Sequence, residues 1–232
     1  MTTSPENFLV CSTGGEVYAL NKIDGFQIWN AKLSGAGCGV GALFVLEDKV
    51  YVGLHGHLIA LNLFNGAEVW RNPLSGMMYS DVSVLVANPN SAEVSSYETK
   101  RSIVIAASFG KVCGIESESG VTLWKNELKG GGFDLPCLML DSSAVFVGCG
   151  KQLYKINIHN GETIWKHELS KNIFGSTYVT MATHQSSLEA AFTHTGFNNN
   201  PIAQYATRKR QEDSSGGDGG SSGGDGSGGV GS

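Results

Sequence analysis

All four tryptophans of this 232-residue chain stand at one position of one repeated unit. The unit reads VYALNKIDGFQIWNAKL from Val17, LIALNLFNGAEVWRNPL from Leu58, VCGIESESGVTLWKNEL from Val112 and LYKINIHNGETIWKHEL from Leu153, and the four copies align without a gap. In each copy a glycine (Gly25, Gly66, Gly120, Gly161) precedes the tryptophan (Trp29, Trp70, Trp124, Trp165) by four residues. A repeat of this kind constrains the fold more than any compositional average, because a short unit buries its apolar face only by stacking on its neighbours. Successive tryptophans lie 41, 54 and 41 residues apart. The longer middle interval contains the polar stretch PNSAEVSSYETKR (Pro89 to Arg101), which reads as a surface-loop insertion, a change that costs little closure entropy.

Each copy decodes as strand, turn, strand. A short β-prone run carries Val17 and Leu20, Leu58 and Leu61, Val112 and Ile115, or Leu153 and Ile156. Asp, Asn or Ser then precedes the glycine, which supplies the positive φ of a tight hairpin turn. An aliphatic residue and the tryptophan follow, and a leucine (Leu33, Leu74, Leu128, Leu169) closes the unit. Upstream of each copy lies a further run: FLVCS, VYVGL, IVIAAS or VFVGC. These runs are apolar on both faces and predict inner strands. Upstream again, GVGALFVL, SDVSVLVA and DLPCLML are the candidate innermost strands. Four strands per unit of about 41 residues is the size of one propeller blade. The predicted fold is therefore an all-β propeller of four-stranded antiparallel blades. Low charge (16%) and 32 glycines suit short strands and tight turns better than surface helices.

The pattern aliphatic-x-Ala-Leu-Asn-x-x-(Asp/Asn)-Gly-x-x-x-Trp, carried best by Tyr18 to Trp29 and Ile59 to Trp70, resembles the pyrroloquinoline quinone-type repeat of the quinoprotein alcohol dehydrogenase-like superfamily. The third and fourth copies depart at the alanine, with Gly114 and Lys155, and the third has Glu116 for asparagine. The resemblance implies that the tryptophans dock between neighbouring blades and that the glycines make the turns on which the rings lie. It assigns that structural role to Gly25 with Trp29, Gly66 with Trp70, Gly120 with Trp124 and Gly161 with Trp165. The implied domain layout is an N-terminal extension over 1–7, a propeller over 8–206 and a tail over 207–232. The tail opens with the basic cluster Arg208 to Arg210, read as a solvated charge group. It continues as Gly/Ser/Asp-rich sequence that lacks the apolar residues to form a core. The run FGSTYVTMATH (Phe174 to His184) falls where an innermost strand is due, and two readings stay open. It closes the first blade in the manner of a velcro strand, or it begins a degenerate fifth blade with LEAAFTHTG and PIAQYAT; an incomplete ring would also permit a homodimer.

Function is less legible. A net charge of −5 offers no basic field for nucleic acid or anionic lipid. Five scattered cysteines without a CxxC argue against a disulfide framework or a zinc site. The N-terminus does not read as a secretory signal, and no apolar run reaches the ~20 residues of a membrane span, so the expected location is cytoplasmic. Quinone-dependent dehydrogenases, as the resemblance implies, need about eight blades, an adjacent cysteine pair and a calcium site. This chain has no Cys-Cys dipeptide and no acidic constellation. No catalytic, metal or cofactor-binding residue is assigned. The expected function is a non-enzymatic scaffold whose loops present His55, His57, Met77, Met78, Tyr79 and Phe133 to a protein or peptide partner. The alternative is a degenerate quinoprotein relative that holds a small ligand or quinone at the propeller axis.

Overall fold

Repetition in the sequence becomes repetition of antiparallel sheets. The computed structural model describes residues 4–35, 37, 41–77, 81–87, 101–132, 134–141, 143–169 and 178–183, all within the unit Met1–Ser186. After a turn of 3-10 helix, Pro5–Asn7, strands β1 (Phe8–Thr13), β2 (Glu16–Asn21) and β3 (Gln27–Lys32) pair in chain order as a three-stranded sheet. The second sheet is β4 (Ala42–Leu46), β5 (Lys49–Leu54), β6 (His57–Asn62) and β7 (Glu68–Asn72). The third is β8 (Ser83–Ala87), β9 (Ile103–Ser108), β10 (Lys111–Glu116) and β11 (Thr122–Glu127). The fourth is β12 (Cys137–Asp141), β13 (Ala144–Cys149), β14 (Gln152–Asn157) and β15 (Thr163–Glu168). These are the blades of a β-propeller, with β4, β8 and β12 innermost and adjoining one another in succession.

The turn before each tryptophan is built by its asparagine or acid. Asn21, Asn62 and Asn157 accept at Oδ1 from the amides of Ile23, Phe64 and His159, at 2.9, 3.0 and 2.8 Å. The glycine amide then returns to the backbone carbonyl four residues earlier, as in Gly66 to Asn62 at 2.8 Å. The connection is thus a four-residue loop rather than a two-residue hairpin, with glycine at φ of +71 to +74°. One residue beyond the loop, every outer strand bulges. Ala60 pairs with Trp70 but Leu61 with Glu68, leaving Val69 unmatched, and Ile28, Leu123 and Ile164 are skipped in the same way. A bulge turns a strand locally. Here it leaves the aliphatic residue in solvent and swings the indole off the sheet.

The core lies between sheets rather than within them. Val17, Ala19, Trp29 and Leu33 of the first blade meet Val50, Val52, Leu54 and Ile59 of the second. Tyr51, Leu58, Trp70 and Leu74 meet Val104, Ala106 and Ile115 of the third. Ile105, Trp124 and Leu128 meet Val145, Val147 and Tyr154 of the fourth. Adjacent residues of β5 point to different layers, which is why these second strands are apolar on both faces.

The run expected to close the first blade is described only over 178–183, which form no strand, and the first sheet has three described strands. Val179 is buried against the fourth blade, where a Cβ on Gly148 would fall 2.7 Å from its Cγ1. Val82 and Val84 of the third blade cross Gly53 of the second in the same way. This segment therefore occupies the place where the innermost strand of a following blade crosses β13. The expected tail, the 206/207 boundary and the two later runs of a fifth blade lie outside the described residues.

Candidate interaction surface

Three junctions join the four blades by one recurring set of bonds. The indole Nε1 of Trp29 donates to the Leu63 carbonyl at 2.7 Å, that of Trp70 to Ser117 at 2.9 Å, and that of Trp124 to Ile158 at 2.8 Å. Each ring lies flat against a turn glycine: a Cβ on Gly66 would sit 2.6 Å from Trp29, and one on Gly120 2.6 Å from Trp70. Trp124 lies closer still to Gly161. The glycine under each ring belongs to the next blade, so the pairings assigned from the sequence within one copy are displaced by one repeat. Asn72 adds bonds from Nδ2 to the Gly120 carbonyl (2.8 Å) and Thr122 Oγ1 (2.9 Å). Asn126 repeats them to Gly161 (2.6 Å) and Thr163 (3.0 Å). The cation after each later tryptophan reaches back to the preceding linker: Arg71 to the Ser34 carbonyl, Lys125 to Ser75 and Lys166 to Lys129, at 2.9, 2.8 and 2.7 Å.

The fourth tryptophan departs from its expected docked role. Trp29, Trp70 and Trp124 are 8, 9 and 8% exposed, whereas Trp165 is 39% exposed. Leu33, Leu74 and Leu128 are buried, but Leu169 is 49% exposed. The residue types are the same; the difference is that no described blade covers β15, which is exposed along its whole length. The first blade shows the complementary vacancy. Gly25 holds the same conformation as the other turn glycines (φ +73°), yet none of the described residues lies within 4 Å of its Cβ position. Phe26 and Ile23 beside it are 73 and 84% exposed. Among the described residues, one edge therefore presents an indole without a seat, and the other a seat without an indole.

Of the loop residues singled out from the sequence, His55, His57 and Met77 are described, and each makes a contact within the protein. His55 sits in the β5–β6 turn at φ +45°, with its ring against Gly37. His57 Nδ1 lies 3.1 Å from the His55 carbonyl. Met77 packs on the apolar layer between the second and third blades. Met78, Tyr79 and Phe133 lie outside the described residues. The uncovered edge was missed because the fourth copy carries the same Gly161, Trp165 and Leu169 as the docked copies.

The interior shows little reactive chemistry. Burial pushes the thiols of Cys113 and Cys149 up to about 12, with Asp134 adding to the shift at Cys149, and that of Cys137 up to about 11. Burial likewise raises the Tyr51 and Tyr154 hydroxyls to about 12. These acids ionise in the unfolded chain first, from about pH 9 for thiols. Stability is thus complete below about pH 9 and is lost as pH rises towards 12. The urea midpoint is expected to be lower at about pH 10.5 than at about pH 8; an unchanged midpoint would contradict the burial of these groups. Among the described residues, no group of three or more His, Cys, Asp or Glu could hold a metal ion. The innermost strands ALFVL, SVLVA and CLMLD carry aliphatic side chains, and their one acid, Asp141, lies 3.5 Å from Lys155 Nζ. Those residues do not fit a quinone with its calcium ion. No helix among the described residues is long and apolar enough to cross a membrane.

The family model described as outer membrane protein assembly factor BamB matches residues 2–131 and 54–209. No curated protein sequence matches the chain. Among solved structures, Saccharomyces cerevisiae Sqt1 is similar over 72% of this chain and 49% of its own (15% identity, TM-score 0.55). The computationally designed Ika8 protein is similar over 71% and 47% (17%, 0.53). Quinohemoprotein alcohol dehydrogenase from Comamonas testosteroni is similar over 70% and 33% (16%, 0.53). The chain spans less than half the length of each of these proteins, and the likeness is one of fold.

Proposed function

The chain belongs to the PQQ-like β-propeller repeat family, and from that premise we propose that it is a non-enzymatic scaffold that binds another protein or peptide through rigid blades. One observation carries the reading: the edge of the fourth blade exposes Trp165 and Leu169, whose counterparts at every other blade are buried in a blade–blade junction. A preformed apolar strip beside Lys155 and His167 has the make-up of a protein-binding patch. The aliphatic inner strands and raised thiols support a role without chemistry. A cytoplasmic location goes with this reading, supported by free cysteines and the absence of a disulfide among the described residues.

A photo-reactive residue in place of Leu169, introduced in living cells, is expected to give discrete protein adducts that the same group at the rim residue Ile28 does not give. Absence of any protein adduct at position 169 would remove the basis for the reading. In parallel, purified protein with added quinone and calcium is expected not to reduce an electron-acceptor dye in the presence of alcohols. Turnover there would establish the quinoprotein alternative in its place.

A further inference from the structure

The two uncovered edges are the two halves of a junction that the chain builds three times internally. We propose that they belong together: the fourth blade of one copy docks on the first blade of a second copy, with Trp165 seated on Gly25, and two copies close head to tail. This names the partner for the strip on which the preceding reading rests.

The internal junctions supply the template position by position. Leu63, Ser117 and Ile158 offer the carbonyl that receives an indole, and the residue at that place in the first blade is Lys22. The seat needs a glycine with positive φ and open space above it, and Gly25 has both. His167 stands where Asn72 and Asn126 donate to a turn carbonyl, and an imidazole N–H can make that bond to Gly25. Gln27 stands where Thr122 and Thr163 accept the second bond. Charge is also compatible. The position that pairs Lys49 with Glu118 (3.0 Å) at one junction stacks Phe8 on Phe64 (5.6 Å between ring centres) at another. On the free edges it holds Ala144 and Ile23, both apolar, so that position adds no charge; the one cation brought to the new junction is Lys22, whose long stem carries its ammonium to the rim.

A second copy suits these edges because the chain carries both partners of the joint. A contact between different faces of identical chains either closes into a ring or runs on as a filament. The smallest ring uses two copies and leaves neither edge uncovered. Sqt1 and Ika8 are each about twice as long as the part that this chain matches.

The test uses the full chain and two variants, Trp165→Ala and Gly25→Leu, with circular dichroism and the urea midpoint at low protein concentration as the checks that each protomer folds. Sedimentation equilibrium of the wild type is expected to show a dimer, and each variant is expected to weaken association by at least about 30-fold, the loss typical of a buried aromatic anchor. Mixing the two variants is expected to restore part of the dimer, because one intact Trp165 then meets one intact Gly25. A face-to-face dimer of like surfaces would show no such rescue. A wild type that stays monomeric at all concentrations, a dimer that survives Trp165→Ala, or assemblies larger than two would each overturn the proposal. A monomeric wild type whose position 169 still cross-links to a different protein overturns the self-pairing and leaves the scaffold reading standing.

Discussion

Trp124→Ala is expected to lower the unfolding free energy by about 3–5 kcal/mol, the range for deleting a buried aromatic side chain. The indole of Trp124 fills the layer shared by Ile105, Val145, Val147 and Tyr154, and its removal leaves a cavity between two stiff sheets that cannot collapse into it. The Ile158 carbonyl also loses its donor in a buried site, which carries its own penalty of about 1–3 kcal/mol within that total. Against a typical stability of about 5–15 kcal/mol, this is a large fraction. The same substitution at Trp165 is expected to cost less than about 1 kcal/mol in the isolated protomer, because its ring is half-covered and donates to no described carbonyl of a next blade. Urea denaturation followed by circular dichroism, at protein concentrations low enough to separate copies, measures both. Equal losses at the two positions would show that the junction layer is not where the stability resides. In an array held by nearest-neighbour layers, Trp124→Ala should also split the transition, with the fourth blade unfolding first.

Gly161→Ala is the second large effect, about 2–5 kcal/mol. Two costs coincide there. The methyl group falls against the ring of Trp124, which is pinned by its bond to Ile158 and cannot retreat. Overpacking of that kind costs about 1–3 kcal/mol. The backbone at φ +74° adds about 1–2 kcal/mol for any residue bearing a Cβ. In the separate protomer Gly25→Ala carries the backbone cost alone, since its Cβ meets none of the described residues within 4 Å. The difference between the two variants, read as the shift in urea midpoint at constant slope, isolates the steric part. If Gly25→Ala proved as damaging as Gly161→Ala, the ring contact would carry no weight.

Much of the architecture could be read from the letters alone, because the Gly-x-x-x-Trp spacing and the doubly apolar second strands are local signals of a blade. Partner choice across blades could not. Trp29 and Gly25 share one copy, but the indole leaves its own sheet at the Ile28 bulge and finds Gly66, and nothing in one repeat says which neighbour it will meet. The edge at Trp165 was hidden for a related reason: exposure there is set by whether another blade stacks on β15, not by residue type. His55 and His57 were candidates for recognition as residues of a blade loop; how the turn sets one ring against Gly37 and the other near the His55 carbonyl depends on backbone conformation that the letters do not carry.

Because the apolar layers run between sheets, a single blade cut from this protein would be a ribbon greasy on both sides, with nothing of its own to fold around. The seam, not the sheet, is the heritable module. A duplication that copies one full period anywhere along the chain transfers half of one seam and half of the next, and both halves still fit. The thirteen-residue insertion stands between β8 and β9, neighbours within one blade, so that change of length separates no two halves of a seam.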